Sequence, residues 1–201
     1  MIESLRLRQI KNCMALTLTA VGTPMLLMGD EVRRTQRGNN NAYCQHSETS
    51  WFDWSLCDRN AGLRRFVKLM IAFRTRRDVV IEGAGLARLT LNQLLTRARL
   101  TWHGIALNSP DWSDDSHSIA FTLESLLETF TIHAMLSAYW EPLSFELPRA
   151  DRHWRRWVDT SLAPAEDIFA WEQAPVLSQS RYTVGPRSVV FLVDKGDQFR
   201  H

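Results

Sequence analysis

The sequence predicts an α/β segment followed by an all-β domain, the latter an antiparallel β-sandwich. Three observations carry the prediction. A helical apolar repeat near the N-terminus runs through Gly22 and Pro24 into the apolar run Met25 to Met28. A second helical repeat spans Leu63 to Phe73, and beyond about residue 80 the apolar period shortens toward two.

The first element is an amphipathic helix. Ile2, Leu5, Ile10, Met14 and Leu18 follow helical spacing, with Cys13 and Leu16 beside them, and Gly22 and Pro24 end it. Met25 to Met28 follows as a strand buried on both faces, since an apolar run closed by a polar tip, Asp30-Glu31, is the pattern of a parallel strand opening into a loop. Such a strand needs neighbours on its edges, and the chain supplies few; the strand expected before the first helix is absent, because Met1 opens almost directly on that helix. Asp58 is placed to cap the second helix, in which Leu63, Phe66, Val67, Met70 and Phe73 repeat and Arg74, Arg76 and Arg77 fall near the negative end. A domain boundary is expected near Val80 to Gly85, and Leu86 to Leu100, rich in Leu and Arg, is read as helical or irregular.

Alternation then marks strands. Ile119, Phe121 and Leu123 alternate, as do Phe130, Ile132 and Ala134, then Leu143, Phe145 and Leu147, and Val189 to Val193 is a last β-branched run. Pro, Asp and Ser turns separate them, the arrangement of an antiparallel sandwich. Asp194 to Asp197 reads as a hairpin turn, and Gln198 to His201 as a tail.

The 201 residues suffice for a sizeable core, and 45% hydrophobic with 23% charged residues describe an ordinary globular chain. A net charge of +2, with basic residues spread along the sequence, gives no footprint for nucleic acid. The longest apolar stretches are too short for a membrane span and the first residues lack a secretory layout, so the expected location is cytoplasmic with no membrane partner. Cys13, Cys44 and Cys57 lack CxxC spacing and are expected to be reduced structural thiols, with neither a disulfide framework nor a zinc site.

Several residue groups carry candidate chemistry. Asp30 and Glu31 suggest an acid/base pair, but neighbours on an extended strand point to opposite faces, so their expected task is loop stabilisation through backbone amides or Arg33, Arg34 and Arg37. Asn39, Asn40, Asn41 and Tyr43 combine amide donors and acceptors with an aromatic ring, which suits sugar hydroxyls and a pyranose face; Asn and Gly suit tight turns equally well. Trp51, Phe52 and Trp54 are expected in the core rather than as a sugar platform. Asp111, Asp114, Asp115 and His103 suggest oxygen-rich metal binding, yet turn formation explains the Asp-Trp-Ser-Asp-Asp run more simply, and no metal or other cofactor is expected. Tyr139-Trp140-Glu-Pro reads as a packed sandwich edge, where an exposed Trp would offer a secondary stacking surface for a sugar ring.

The segment Gly22 to Glu31, the run Arg34-Thr-Gln-Arg-Gly-Asn-Asn-Asn-Ala-Tyr-Cys44 and Trp51-Phe-Asp-Trp54 resemble the region around the eighth barrel strand of isoamylase-type glycogen debranching enzymes, in the α-amylase superfamily (glycoside hydrolase family 13). Leu63 to Leu69, Trp102-His-Gly104, Pro110 to Asp115, Ala138 to Leu143, Phe145 to Pro148 and Asp159-Thr-Ser161 extend the resemblance over most of the chain. It implies that residues 1–82 are the last helix–strand–helix elements of an incomplete (β/α)8 barrel and 83–201 a C-terminal β-sandwich. It also implies a retaining hydrolysis of α-1,6 branch linkages in glycogen and related α-glucans. The superfamily draws its three catalytic carboxylates from barrel strands four, five and seven, which the resemblance places upstream of Met1, so no catalytic residue is carried over and the fragment itself is expected to be inactive. On the barrel rim, Asn39, Asn40, Asn41 and Tyr43 would line the substrate cleft, while Asp30, Glu31 and Arg34 would hold the loop. The family pattern commonly has Phe-Gly where this chain has Val32-Arg33, and losing that Gly is expected to alter the turn.

A rival reading makes the chain a non-catalytic α-glucan-binding or interaction module. In either case the uncovered apolar helix and strand predict self-association through the exposed barrel remnant.

Overall fold

The computed structural model describes residues 2–75, 96–124, 130–148 and 153–195. Among them, two long helices lie on one face of a five-stranded antiparallel sheet and a two-stranded sheet covers the other. Helix α1 (Ile2–Thr19) buries Met14, Ala15 and Leu18, and a single turn, α2 (Leu56–Arg59), precedes α3 (Ala61–Thr75). The predicted stripe of α3, Leu63, Phe66, Val67, Met70 and Phe73, is buried in full. Asp58 does not cap that helix. It lies inside α2, and the chain enters α3 through Asn60, whose carbonyl accepts the Arg64 amide at 3.0 Å.

The large sheet runs β1 (Arg99–His103), β2 (Ser118–Glu124), β3 (Thr131–Ser137), β7 (Ser188–Asp194) and β5 (Arg155–Asp159). The small one pairs β4 (Leu143–Glu146) with β6 (Arg181–Val184). Ile132, Ala134, Val189, Phe191 and Val193 face the helices, whereas Ala120, Met135, Val190 and Leu192 meet Phe145 and Val184 of the small sheet. The register slips between Arg156 and Val158, so Trp157 and Val158 both join the helix-side core. Trp157 lies 4.1 Å from Phe73 and 5.7 Å from Trp171, ring centroid to centroid, making an aromatic seam between α3 and the β-domain.

Charge reinforces the seam. Lys11 of α1 and Asp167 are both buried and 2.5 Å apart, and Arg65 of α3 reaches the second Asp167 oxygen at 3.0 Å. A buried carboxylate is stabilised here by two cations from two different helices. Beside it, the Thr160 hydroxyl donates to Asn12 Oδ1 at 2.5 Å while Asn12 Nδ2 donates to the Arg187 carbonyl at 2.9 Å. Asp159 closes the far end of β5, accepting the Tyr182 hydroxyl at 2.6 Å and the Ser161 amide and hydroxyl at 2.9 and 2.6 Å.

Met25 to Met28 is not a buried strand. The run is irregular, Met25 is 87% exposed, Leu27 and Met28 are exposed too, and Leu26 alone of the four packs on the helix-side core. A parallel strand needs partners for both rows of backbone groups, and no described strand pairs with it. The expected helix–strand–helix unit is therefore helix–irregular segment–helix in this chain. The expected boundary at Val80 to Gly85, Leu86 to Leu95, Arg76 and Arg77, and Gly196 to His201 lie outside the described residues. Among the described residues no helix is long and apolar enough to cross a membrane.

Candidate functional site

Gly29 reverses the chain at φ 103, and a single 3₁₀ turn, Asp30–Val32, follows it. A side chain at Gly29 would strike Arg34, whose Cβ lies 2.6 Å from the position a Cβ would take. Both the backbone angle and the space thus demand glycine there. Val32 is fully buried, and the Asn60 side chain donates to its carbonyl at 3.0 Å, anchoring the loop to the start of α3.

The two carboxylates of the turn point at the backbone. Glu31 Oε2 accepts the Gly29 amide at 2.9 Å and Asp30 Oδ2 accepts the Leu27 amide at 3.3 Å. Arg34 donates to the Ser50 and Thr49 carbonyls at 3.0 and 3.4 Å, drawing the far end of the loop back onto its beginning. Arg33 takes φ 61, the left-handed region, where this chain carries an arginine, and its guanidinium reaches Glu3 at 2.9 Å. That ion pair, with Arg6 on the other oxygen, holds the Glu3 carboxyl below the usual range.

Asn39 and Asn41 spend their side-chain oxygens on turns, accepting the Asn41 and Tyr43 amides at 2.9 and 3.1 Å, while Asn39 Nδ2 donates to Gln45 at 2.8 Å. Asn40 is exposed and Tyr43 is 92% exposed. Trp51, Phe52 and Trp54 are not core residues in this chain. Trp51 is exposed and edge-on to His46, and Trp54 is 77% exposed and edge-on to the half-buried Phe52 at 4.7 Å. The reason is the same as for Met25 to Met28: no described element covers this side of the loop. The arrangement is a rigid turn scaffold presenting Asn40, Tyr43, Trp51 and Trp54 outward.

On the β-domain, Asp111 forms a turn, accepting the Ser113 amide at 3.0 Å, and that hydrogen bond holds its carboxyl below the usual range. His103 is a core residue. Its Nδ1 accepts the Asn108 amide at 2.9 Å, so Nε2 carries the proton and donates to Thr122 Oγ1 at 2.9 Å; Thr122 in turn donates to His133 Nδ1 at 3.0 Å. One backbone amide thereby sets the direction of the chain and keeps both rings neutral. Burial, aided by His103, pushes His133 down to about 3, and burial lowers His103 as well. Among the described residues no three His, Cys, Asp or Glu side chains are grouped to hold a metal ion. Two residues are hard to single out from sequence: Trp112, whose signal is an unpaired aromatic in a polar turn-forming run, and Lys11, whose signal is a lysine on the Met14–Leu18 stripe.

Residues 101–189 match the family model described as Isoamylase 1-3, C-terminal. The chain is 34% identical over 175 residues to chloroplastic isoamylase 1 of Oryza sativa subsp. japonica, covering 87% of this chain and 20% of that protein. It is 50% identical over 116 residues to a glycogen operon protein GlgX homolog of Mycobacterium bovis, covering 55% of this chain and 16% of that protein. The fold is shared with a pullulanase from Bacillus acidopullulyticus, with a TM-score of 0.68 at 20% identity over 94% of this chain and 20% of that one. The chain spans about a fifth of the length of these proteins.

Proposed function

We propose that this chain, which is related over most of its length to the C-terminal part of isoamylase-type debranching enzymes, is the end of a glycoside hydrolase that cleaves α-1,6 branch linkages of glycogen and related α-glucans. On this reading residues 1–82 close a (β/α)8 barrel and 83–201 form the β-sandwich that supports it. The catalytic carboxylates belong to barrel strands of a longer polypeptide, and this chain contributes none. Asp30, Glu31 and Arg34 hold the rim loop, and Asn39, Asn40, Asn41 and Tyr43 line the cleft. The enzyme is placed in the cytoplasm, with branched α-glucan as its substrate.

The observation that carries the proposal is the relation to isoamylase 1 across both halves of the chain, the rim loop as well as the β-domain. The outward-facing loop scaffold and the bare Met25–Met28 run support it, because both are surfaces that further barrel strands would cover or complete. The longer protein, incubated with glycogen, releases linear maltodextrins; the 201-residue chain alone releases none. Release by the chain alone, or none by the longer protein, would overturn the reading. The exposed tryptophans of the β-domain favour a second reading, an α-glucan-binding module acting without hydrolysis.

A further inference from the structure

The connection between β1 and β2 is a pinned loop. Asp111 accepts the Ser113 amide, the Ser116 amide donates to Ser113 O at 3.0 Å, and the His117 carbonyl accepts the Ala138 amide at 2.8 Å. Trp112 projects from it and remains 64% exposed, yet its indole is held edge-on by Trp102 at 5.5 Å, which is itself edge-on to Phe121 at 5.4 Å. An indole fixed from one side with its other surface in solvent is a ready stacking platform. Nearby, Trp140 is 54% exposed, tilted against Tyr139 at 4.1 Å and meeting the His117 ring edge-on at 5.8 Å. His117 Nδ1 lies 2.5 Å from the Asp115 carbonyl, which only accepts, so Nδ1 is the donor of that bond and Nε2 is left for another partner.

Trp112 and His117, with Asp111, Ser113 and Ser116, line an open cleft of about 360 Å³ whose sheet side includes Leu136. That volume is at the low end for small-ligand sites, about 300–1,000 Å³, and admits a sugar unit or two. Its chemistry is an aromatic wall beside hydroxyl, carboxylate and imidazole groups, with no Lys or Arg among the described lining residues, which suits a neutral polyhydroxylated ring better than a phosphate.

We infer that this edge of the β-domain is an α-glucan contact, built from Trp112, His117 and Trp140 on elements other than the rim loop. The inference rests on the α-glucan reading above and adds a second anchor that would hold a branched polymer while the cleft engages one branch.

The test follows the indole N–H resonances of the eight tryptophans of the full chain during titration with maltoheptaose, with assignments from single Trp→Phe variants. The Trp112 and Trp140 signals move together, and Trp112→Ala weakens binding about tenfold with the remaining spectrum unchanged, whereas Tyr43→Ala leaves the Trp112 shift intact. Unmoved Trp112 and Trp140 signals in the folded chain would overturn the second contact, and debranching by the longer protein would then show that the enzymatic reading survives alone. Trp112-dependent binding of cellohexaose in place of maltoheptaose would overturn the α-glucan assignment itself.

Discussion

The helix–sheet seam and the segment from Gly22 to Trp54 are both rich in large apolar side chains, yet the chain treats them oppositely. At the seam Phe66, Phe73, Trp157 and Trp171 are buried, and even Lys11 and Asp167 are removed from water as a pair. In the segment Met25, Leu27, Met28, Tyr43, Trp51 and Trp54 stand in solvent, while the backbone around them is fixed by Gly29, Glu31, Arg34 and the Asn turns. The difference teaches that apolar content does not decide burial; the presence of a covering element does. One region carries its own partner, and no described element of the chain covers the other.

The comparison breaks most sharply at Asp167. Replacing it with Ala leaves Lys11 buried without a counter-charge and removes an anchor of Arg65, so the chain loses about 3–5 kcal/mol in denaturant unfolding. Adding Lys11→Met to that variant restores much of the loss, because an apolar pair of similar volume has no desolvation penalty. Trp157→Ala costs a similar amount, about 3–5 kcal/mol, through the cavity it opens between α3 and β7. The contrasting double change, Met25→Ser with Leu27→Ser, alters stability by under about 0.5 kcal/mol but lowers self-association, measured by sedimentation, since it removes exposed apolar surface and no packing.

Acid sharpens the same contrast, because it acts on the buried region. His133 is neutral when folded, with its pKa pushed to about 3, whereas the unfolded chain takes up a proton below about 6.5. The unfolded state then binds more protons, so stability is intact above about pH 7 and falls progressively as pH drops from about 6.5 toward 3, by roughly 5 kcal/mol in all. His133→Asn keeps an acceptor for Thr122 and flattens that slope in unfolding measured across pH. A smaller effect belongs to the loop: Arg33→Gly relieves a left-handed backbone and stabilises the chain by about 1 kcal/mol, seen as a small rise in Tm.

Much of this was legible from periodicity. The stripes of α1 and α3 are read directly from Met14, Leu18, Leu63, Phe66 and Phe73, and β2, β3, β4 and β7 announce themselves by alternation or a β-branched run. β1, β5 and β6 were hidden because Arg99, Arg155, Arg156 and Arg181 open them, and cationic residues at edge positions mask a period of two. The burial of β3 and β7 on both faces was not legible either, since it depends on helices from the other end of the chain stacking on them. Met25 to Met28 shows the opposite failure: a run with every local mark of a buried strand stays exposed when nothing pairs with it. At the candidate site, the turn duties of Asn39 and Asn41 followed from residue type, but the exposure of Trp51 and Trp54 could not be read from aromatic character alone.

Hydrogen–deuterium exchange of this chain and of the longer protein tests the central claim most directly. The account predicts that amides of α1, α3, β3 and β7 are protected in both, whereas amides 25–28 exchange rapidly in this chain and become protected in the longer protein, where barrel strands pair with them. Equal, rapid exchange of 25–28 in both proteins would contradict it, leaving the segment a surface loop and the barrel assignment of residues 1–82 without support.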